Sequence, residues 1–252
     1  MSKVAWITGA SSGLGEALAI EMARDGWAVA ASARRGDRLA AIAQAAQQVG
    51  AVIHPLPLDV TDAHATVGTV KRIEGELGPI NQAVLNAGAH RPVDPRAFKS
   101  EDFRALVELN LMGTVHSLEA VLPGMIARGV GRIAIVASLA GYRGLPTASA
   151  YGMTKAGLIN MAECLRVELA PLGITVQLVN PGFVKTPATD RNTFPMPFLM
   201  EVEPAAKALY AGLKTDRFEI TFPRRFAAIM KLLRLLPASL AFAATRRMVP
   251  DR

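Results

Sequence analysis

The stretch TGASSGLG at residues 8–15 decides how the chain folds. It follows a short apolar run, KVAWIT at residues 3–8, and leads into a helical pattern from about residue 14 to residue 25. A strand, a glycine-rich turn and a helix in this order are typical of the first unit of a parallel α/β sheet. The turn therefore predicts both the fold and a place where a ligand would bind.

Three glycines of this turn have separate tasks. Gly9 permits the tight turn, Gly13 lets the backbone approach a pyrophosphate, and Gly15 lets the helix pack close to the sheet. The free N–H groups at the helix N-terminus would bind the phosphates. Glycines also build ordinary turns, so the signal comes from the position between strand and helix. The residues of the turn predicted to contact a dinucleotide are Gly9, Ser11, Ser12, Gly13, Leu14 and Gly15.

Beyond the turn, apolar runs alternate with helical patterns. The runs predict strands at 27–33, 51–56, 80–86, 132–137, 174–179 and 217–222, and the patterns predict helices near 37–48, 62–77, 99–126 and 150–170. Near-continuous apolar strands are typical of a sheet covered on both faces. We therefore predict an α/β fold with a Rossmann-type, doubly wound parallel sheet. We expect one domain over residues 1–223 and an added amphipathic helical tail over residues 224–252.

The composition excludes several classes of protein. A chain of 252 residues that is 51% hydrophobic and 19% charged can fill a sizeable core, which excludes disorder for its bulk. The single cysteine, Cys164, excludes an internal disulfide framework, and we expect it to be a packed core thiol. The four histidines lack metal-ligand spacing, so no metal site is predicted. We see no signal peptide at the start and expect a cytoplasmic protein, with a peripheral position at the inner membrane face left open.

The net charge of +7 is concentrated at one end of the chain. Residues 224–252 hold seven of the 28 Lys and Arg residues and one of the 21 Asp and Glu residues. The tail therefore carries a formal charge of about +6, and the body is almost neutral. The net charge therefore says little about the function of residues 1–223. Where the basic tail binds is a separate question.

The end of the second predicted strand bears on the kind of dinucleotide. An acid here would accept hydrogen bonds from the ribose 2′-OH of NAD, but the chain has Ala33 followed by Arg34 and Arg35. Guanidinium groups would instead bind a 2′-phosphate through charge-assisted hydrogen bonds. We therefore predict NADP(H) in preference to NAD(H), with Arg34 as the first candidate and Arg35 or Arg38 as alternatives. The competing interpretation is a pair of solvated surface arginines.

Two residues at helical spacing predict proton chemistry. Tyr151 and Lys155 are four residues apart, so their side chains share one helix face. A free tyrosine has a pKa of about 10, and a nearby ammonium would lower that pKa toward the working range. Ser138 ends the preceding predicted strand, where its hydroxyl would hydrogen-bond a substrate oxygen. A pair at this spacing is common by chance, so the order of all three residues along the chain carries the signal.

With these residues in register, the chain resembles a member of the short-chain dehydrogenase/reductase superfamily over roughly residues 3–222. The further landmarks of this resemblance occur in the expected order, and they are Asp59-Val60, Asn86-Ala87-Gly88, Asn110, Pro181-Gly182 and Thr186. Two features depart from the pattern. Ser12 stands where many NADP-dependent relatives carry Arg or Lys, and many relatives lack the tail.

The resemblance implies roles for the catalytic residues. Tyr151 would protonate the carbonyl oxygen as hydride arrives and would act as the base in the reverse direction. Lys155 would lower the pKa of Tyr151 and hydrogen-bond the nicotinamide ribose. Ser138 would hold the carbonyl oxygen, and Asn110 would anchor a water in a proton relay.

The resemblance also implies the remaining cofactor contacts. Asp59 and Val60 would meet the adenine, and Asn86, with Ala87 and Gly88 after it, would brace the sheet behind the cofactor. The residues expected at the nicotinamide end are Pro181, Gly182 and Thr186. The implied activity is NADP(H)-dependent hydride transfer between a carbonyl and an alcohol, in a homodimer or homotetramer. The alternative is a non-catalytic NADP(H)-binding or membrane-attached scaffold on the same fold.

Residues 188–203 occupy the place of the family's mobile substrate loop. The loop is apolar, and we predict a lid over a hydrophobic substrate, with Phe194 and Phe198 as substrate contacts. The alternative is a loop that docks on its own domain.

The tail forms an amphipathic pattern that Pro237 breaks or kinks. Its apolar residues share one broad side of a helical wheel, and they are Phe226, Ile229, Met230, Leu232, Leu233 and Leu236. Internal bases and the proline argue against a spanning helix. Three locations stay open, which are packing on its own domain or a sister subunit, an anionic membrane, and a wall of the substrate pocket. Nucleic acid is not expected, because the bases cluster beside leucines.

Overall fold

A computed structural model describes residues 3–187, 189, 196–246 and 248. A seven-stranded sheet lies at its centre, in the order β3-β2-β1-β4-β5-β6-β7, and every neighbouring pair is parallel. The strands are β1 (Val4–Thr8), β2 (Ala28–Ala33), β3 (Ile53–Pro57), β4 (Ile80–Leu85), β5 (Gly131–Val136), β6 (Ile174–Pro181) and β7 (Glu219–Phe222). The predicted Rossmann-type, doubly wound sheet is confirmed.

Helices cover both faces of the sheet. They are α1 (Gly13–Arg24), α2 (Gly36–Gln47), α3 (Ala63–Glu76), α4 (Ser100–Leu106), α5 (Gly113–Arg128), α6 (Ser149–Leu169), α7 (Val202–Leu213), α8 (Arg224–Leu235) and α9 (Ala238–Arg246). Helices α1, α2 and α7 share one apolar core, whereas α3, α5, α6 and α8 share the core on the other face. Along β1, Val4 and Trp6 enter the second core and Ala5 and Ile7 enter the first. This two-sided burial explains why the strand is apolar at every position.

The long helix predicted over 99–126 contains a wider segment. Residues Val107–Met112 form a π-helical turn between α4 and α5. Asn110 lies in this turn and is completely buried. An insertion of this kind is common at functional sites, because it changes the direction in which a helical side chain points.

Cys164 is exposed, so the prediction of a packed core thiol is wrong. The buried residues of α6, including Leu158, Ile159 and Ala162, lie on the face that meets the sheet. Cys164 follows Ala162 by two residues, which places it on the opposite side of the helix. In the part of the chain that the structure describes, no helix is long and apolar enough to cross a membrane.

The tail consists of two helices, α8 and α9, that meet at Pro237. Helix α8 packs on its own domain, because Phe226, Ala227 and Met230 are buried in the core shared with α3, α5 and α6. The single broad apolar side predicted for this helix is divided, since Leu232 is 63% exposed. Phe226 and Met230 therefore face inward, Leu232 and Leu235 face outward, and Leu233 packs against the core.

Candidate active site

Two adjoining cavities lie at the carboxyl ends of the strands, where the strand order reverses between β1 and β4. One has a volume of about 240 Å³ and is lined by Ser138, Tyr151 and Lys155. The other has a volume of about 210 Å³ and is lined by the glycine-rich turn and the end of β2. Gly88 lines both cavities. This crevice is where doubly wound sheets bind their ligands.

The glycine-rich turn is fixed by close backbone contacts. Gly9 and Gly13 have φ angles of +67° and +58°, in the left-handed region that side chains with a Cβ rarely adopt. A Cβ on Gly9 would lie 2.8 Å from the Cα of Ala87, and one on Gly15 would lie 2.5 Å from the carbonyl oxygen of Gly9. The turn therefore admits only glycine at these positions and leaves the N-terminus of α1 open.

Asn86 braces this turn from β4. Its Nδ2 donates to the carbonyl oxygens of Thr8 and Gly9, at 3.0 and 3.2 Å. In return, the Thr8 hydroxyl oxygen accepts hydrogen bonds from the backbone N–H groups of Asn86 and Ala87, both at 3.0 Å. These bonds tie the ends of β1 and β4 together behind the second cavity.

Arg35, rather than Arg34, is fastened to the glycine-rich turn. Its Nη2 donates to the hydroxyl oxygens of Ser11 and Ser12, both at 2.9 Å, and its Nε donates to the Ser11 hydroxyl at 3.2 Å. Arg34 lines the same cavity and is exposed. Both arginines thus line the second cavity. The pKa of Glu16 nearby is raised by burial, and Arg38 and Arg35 oppose that rise.

Asp59 and Val60 form another part of the wall of the second cavity. The Asp59 carboxylate accepts hydrogen bonds from the backbone N–H and the hydroxyl of Thr61, at 3.1 and 2.9 Å. The carbonyl oxygen of Val60 is held by the His116 ring at 3.0 Å. The side chain and the backbone of this wall are therefore fixed.

Tyr151 and Lys155 point into the first cavity from the start of α6, as the spacing predicts. Lys155 is 4% exposed, and its Nζ lies 5.6 Å from the centre of the Tyr151 ring and donates to the carbonyl oxygen of Val136 at 2.8 Å. Ser138, at the end of β5, approaches from the other side. Its hydroxyl donates to the carbonyl oxygen of Pro181 at 3.4 Å.

Burial dominates the proton affinities of this pair. It raises the pKa of Tyr151 above 10, and a hydrogen bond with Ser138 works against that rise. Burial also lowers the pKa of Lys155 to about 8. The sequence predicts that Lys155 lowers the pKa of Tyr151, but in this structure that pKa is raised and the ammonium donates to the carbonyl oxygen of Val136.

Asn110 holds the loop after β4 from beneath the site. Its Nδ2 donates to the carbonyl oxygen of Ala89 at 3.0 Å, and its Oδ1 accepts from the backbone N–H of Ala89 at 2.8 Å. Nδ2 also donates to the Thr154 hydroxyl at 3.0 Å. A Cβ on Gly88 would lie 3.1 Å from Asn110 Oδ1 and 3.5 Å from Lys155 Nζ. Asn110 and Lys155 thus flank the same glycine.

At the nicotinamide end expected from the sequence, Pro181, Gly182 and Thr186 all line the first cavity. The backbone N–H of Thr186 donates to the Thr189 hydroxyl at 2.9 Å, which fixes the turn after β6. A Cβ on Gly13 would lie 2.8 Å from Cγ2 of Thr186. This turn therefore packs directly on the glycine-rich turn.

The tail supplies a wall of the first cavity. Phe226 and Met230 of α8 line it, together with Phe183. A Cβ on Gly182 would lie 2.9 Å from Cδ1 of Phe226, so the helix is seated directly on the end of β6. Of the three locations that the sequence leaves open for the tail, the structure supports packing on its own domain and forming a pocket wall. The apolar inward positions of α8 were the signal for this contact.

The predicted lid residues have different outcomes. Phe194 lies outside the described residues. Phe198 stacks on Phe226 with ring centres 6.0 Å apart and is 44% exposed. It therefore lies beside the cavity wall and does not line the cavity in this structure.

His90 also lines the first cavity. Its ring meets the edge of the Tyr151 ring with centres 4.7 Å apart, and burial lowers its pKa. Its Nδ1 is buried without a hydrogen-bond partner among the described residues. The neutral ring therefore packs against the tyrosine and keeps one nitrogen buried.

Comparison with known proteins agrees with this arrangement. The sequence profile of the family described as short chain dehydrogenase matches residues 3–194. An uncharacterized oxidoreductase of Myxococcus xanthus is 39% identical over 98% of this chain and 97% of its own length. The 3-oxoacyl-(acyl-carrier-protein) reductase FabG of Thermotoga maritima is 34% identical over 75% of this chain and 77% of its own.

Among solved structures, an alcohol dehydrogenase from the archaeon Thermococcus sibiricus, complexed with 5-hydroxy-NADP, superposes with a TM-score of 0.80 at 28% identity. The match covers 88% of this chain and 96% of that one. The chain belongs to the short-chain dehydrogenase family of oxidoreductases, which bind a nicotinamide cofactor and a small-molecule substrate.

Proposed function

We propose that the protein is an NADP(H)-dependent oxidoreductase that interconverts an apolar carbonyl compound and its alcohol, with Tyr151 as the general acid and base. The observation that carries this proposal is the arrangement of Ser138, Tyr151 and Lys155 around one cavity. That cavity adjoins, at Gly88, a second one built on the glycine-rich turn. Substrate and dinucleotide would therefore meet at the tyrosine hydroxyl.

The bound nicotinamide supplies or accepts the hydride, and the chain handles the proton and the orientation. In reduction, Ser138 would donate a hydrogen bond to the carbonyl oxygen, and the Tyr151 hydroxyl would give its proton to the same oxygen as the carbonyl carbon gains the hydride. The resulting phenolate would be stabilised by the buried ammonium of Lys155. Burial keeps Tyr151 protonated before the reaction, as a general acid requires.

The chain's own residues fit a dinucleotide. The positive φ angles and close contacts of Gly9 and Gly13 keep side chains out of the space in front of α1, whose N-terminal N–H groups suit a pyrophosphate. Asp59 and Val60 would flank the adenine.

Preference for NADP(H) rests on the arginines at the end of β2. Arg35 is already fixed by Ser11 and Ser12, and Arg34 lines the same cavity, so two guanidinium groups would share the 2′-phosphate. The likeness to an alcohol dehydrogenase solved with 5-hydroxy-NADP supports this assignment. Part of the Arg35 guanidinium already donates hydrogen bonds to Ser11 and Ser12, which leaves fewer of its N–H groups for the phosphate. We therefore propose that Arg34 contacts the phosphate together with Arg35.

The lining of the first cavity supports an apolar substrate. Apart from the catalytic side chains, its walls are mainly aliphatic and aromatic, and they include Leu139, Leu145, Phe183, Phe226 and Met230. Such walls, with a few polar groups at one end, are typical of sites that bind apolar molecules in a fixed orientation. We propose that the loop around Phe194 and Phe198 completes the apolar enclosure.

We also propose that the protein forms a homodimer or homotetramer through α5 and α6. The outer sides of these helices carry exposed apolar residues, including Ile126, Met153 and Val167. Sedimentation velocity of the purified chain measures the assembly. A monomer at micromolar concentration would contradict it.

A cofactor and substrate screen tests the proposed function. We would follow NADPH oxidation with 2-alkanones of increasing chain length, repeat each assay with NADH, and run the corresponding alcohols with NADP⁺. We expect NADPH to be preferred, and kcat/KM to rise by about threefold to fourfold for each added methylene that the cavity buries. Binding of NADPH without turnover on any carbonyl or alcohol would contradict the assignment as an enzyme.

A further inference from the structure

The outer side of the tail presents an apolar surface that the oxidoreductase function does not use. We call it the tail surface, and it consists of Ile229, Leu232, Leu235, Leu240 and Phe242. Leu235 is 81% exposed and Phe242 is 65% exposed. Exposed large apolar side chains are normal when scattered, but Ile229, Leu232 and Leu235 recur at every third position of α8 and therefore form a row along one side of that helix, which is a candidate interaction site.

The tail surface cannot turn inward, because the other side of α8 is fastened to the domain. Phe226, Ala227 and Met230 are buried in the core. At the edge of the helix, Lys231 pairs with Glu219 of β7, and the Arg234 guanidinium lies 5.7 Å from the centre of the Tyr142 ring. The leucines are therefore held outward by the same contacts that seat the helix.

Positive charge surrounds the tail surface. Residues 224–246 contain five Lys and Arg residues and no Asp or Glu. Arg224 and Arg225 are exposed at the start of α8, and Arg246 is exposed at the end of α9. Arg143 adds a further guanidinium 5.8 Å from the centre of the Phe242 ring. A binding partner for this surface must bury the apolar side chains and also carry negative charge that pairs with the Lys and Arg residues.

This combination selects an anionic lipid bilayer over a second copy of the chain. In a two-fold contact the same patch would face itself, so the basic ends of the two copies would repel each other. A bilayer with anionic lipids instead accepts apolar side chains at the level of the headgroups and pairs the flanking bases with phosphates.

Beside α8, apolar side chains also reach from the substrate cavity to the exterior. Phe226 lines the cavity and stacks on Phe198, which is 44% exposed. Met248 likewise lines the cavity and is 46% exposed. An apolar path therefore leads from the cavity to the exterior beside α8. We propose that the outer side of α8 and α9 rests on an anionic membrane surface, with this path facing the acyl chains.

Vesicle flotation of the full chain tests the proposal without relying on activity. The probes are vesicles of phosphatidylcholine alone and vesicles with about 30% phosphatidylglycerol. We expect the protein to float with the anionic vesicles only, and less so when salt is raised from about 0.1 M to about 1 M. The double variant Leu232→Glu, Leu235→Glu should lose at least about tenfold in partitioning, because two exposed leucines that would enter the bilayer are replaced by charges.

Two further variants separate the contribution of the positive charges from that of the apolar side chains. Arg224→Ser with Arg225→Ser keeps the leucines and should weaken partitioning by about fivefold for each charge. Val49→Glu, at a position that is 54% exposed beyond the end of α2, is the matched control and should float like the unchanged protein. Circular dichroism of each variant checks that it is folded. If the double leucine variant unfolds, the double arginine variant still tests whether the tail binds anionic vesicles.

Failure of the unchanged protein to float with anionic vesicles at low salt would overturn the proposal. So would an equal loss in the Val49→Glu control. If the leucine pair instead converts a larger assembly to a smaller one in sedimentation, and the unchanged protein does not bind vesicles, the tail surface belongs to a second copy. None of these outcomes depends on the substrate or cofactor assigned above.

Discussion

Replacement of the buried lysine of the site gives a stability effect with a defined pH dependence. Lys155 is 4% exposed, and burial lowers its pKa from 10.5 to about 8. The difference between these two values corresponds to about 3 kcal/mol of lost stability while the ammonium is charged in both states. Lys155→Met removes this cost but leaves the carbonyl oxygen of Val136 without its donor, which costs about 1–3 kcal/mol.

The direction of the pH dependence follows from the number of protons that the folded and the unfolded chain bind. Because the folded pKa is the lower one, the unfolded chain holds more protons between pH 8 and pH 10.5, and the wild-type protein gains stability as the pH rises through that window. The cost is fully present below about pH 8 and falls below about 1 kcal/mol near pH 10. The stability of Lys155→Met relative to wild type should therefore decrease by about 2 kcal/mol from about pH 7 to about pH 10.

Urea unfolding, followed by tryptophan fluorescence at several pH values, measures this difference. Lys71→Met, on the exposed side of α3, controls for the loss of one positive charge and should show a difference from wild type that stays constant. A difference between Lys155→Met and wild type that is independent of pH would refute the argument that Lys155 is a buried, charged group.

Two further substitutions probe the cofactor and substrate ends of the site. Arg35→Ala should raise KM for NADPH by about tenfold or more and KM for NADH much less, because it removes a charge-assisted contact to the 2′-phosphate. Arg72→Ala is the control, and an equal rise for both cofactors in Arg35→Ala would contradict the assignment. Met230→Ala should lower kcat/KM for a long 2-alkanone about fivefold or more relative to acetone, because it removes cavity wall, and should cost about 2–5 kcal/mol in thermal unfolding. An unchanged ratio of the two substrates would show that α8 does not contact the substrate.

The sheet was predictable because its signals are local. Each strand is an apolar run next to a helical pattern, and the turn at residues 8–15 places glycines where positive φ angles and close contacts require them. The position of the tyrosine and lysine also followed from sequence, since their spacing puts them on one helix face. Such local patterns predict the structure correctly because the hydrophobic pattern, the turn residues and the tertiary packing all favour the same conformation.

Other features depend on contacts between residues that are distant in the sequence, so they could not be predicted from the sequence alone. The π-helical turn around Asn110 forms where the side chain holds both backbone groups of Ala89. The choice of Arg35 for Ser11 and Ser12 depends on the geometry between β2 and the turn. The helical wheel of α8 grouped Met230 with Leu232, and only packing on the domain separates the inward residue from the outward one.

The most direct test of the account is the substitution Tyr151→Phe, which removes the hydroxyl and keeps the ring. NADPH binding, measured by the change in its fluorescence, should be unchanged, because the ring still packs against His90. Turnover of the best carbonyl substrate should fall by at least about 100-fold, since the tyrosine hydroxyl is the group proposed to give the proton. Retained turnover with intact NADPH binding would contradict the claim that Tyr151 is the general acid.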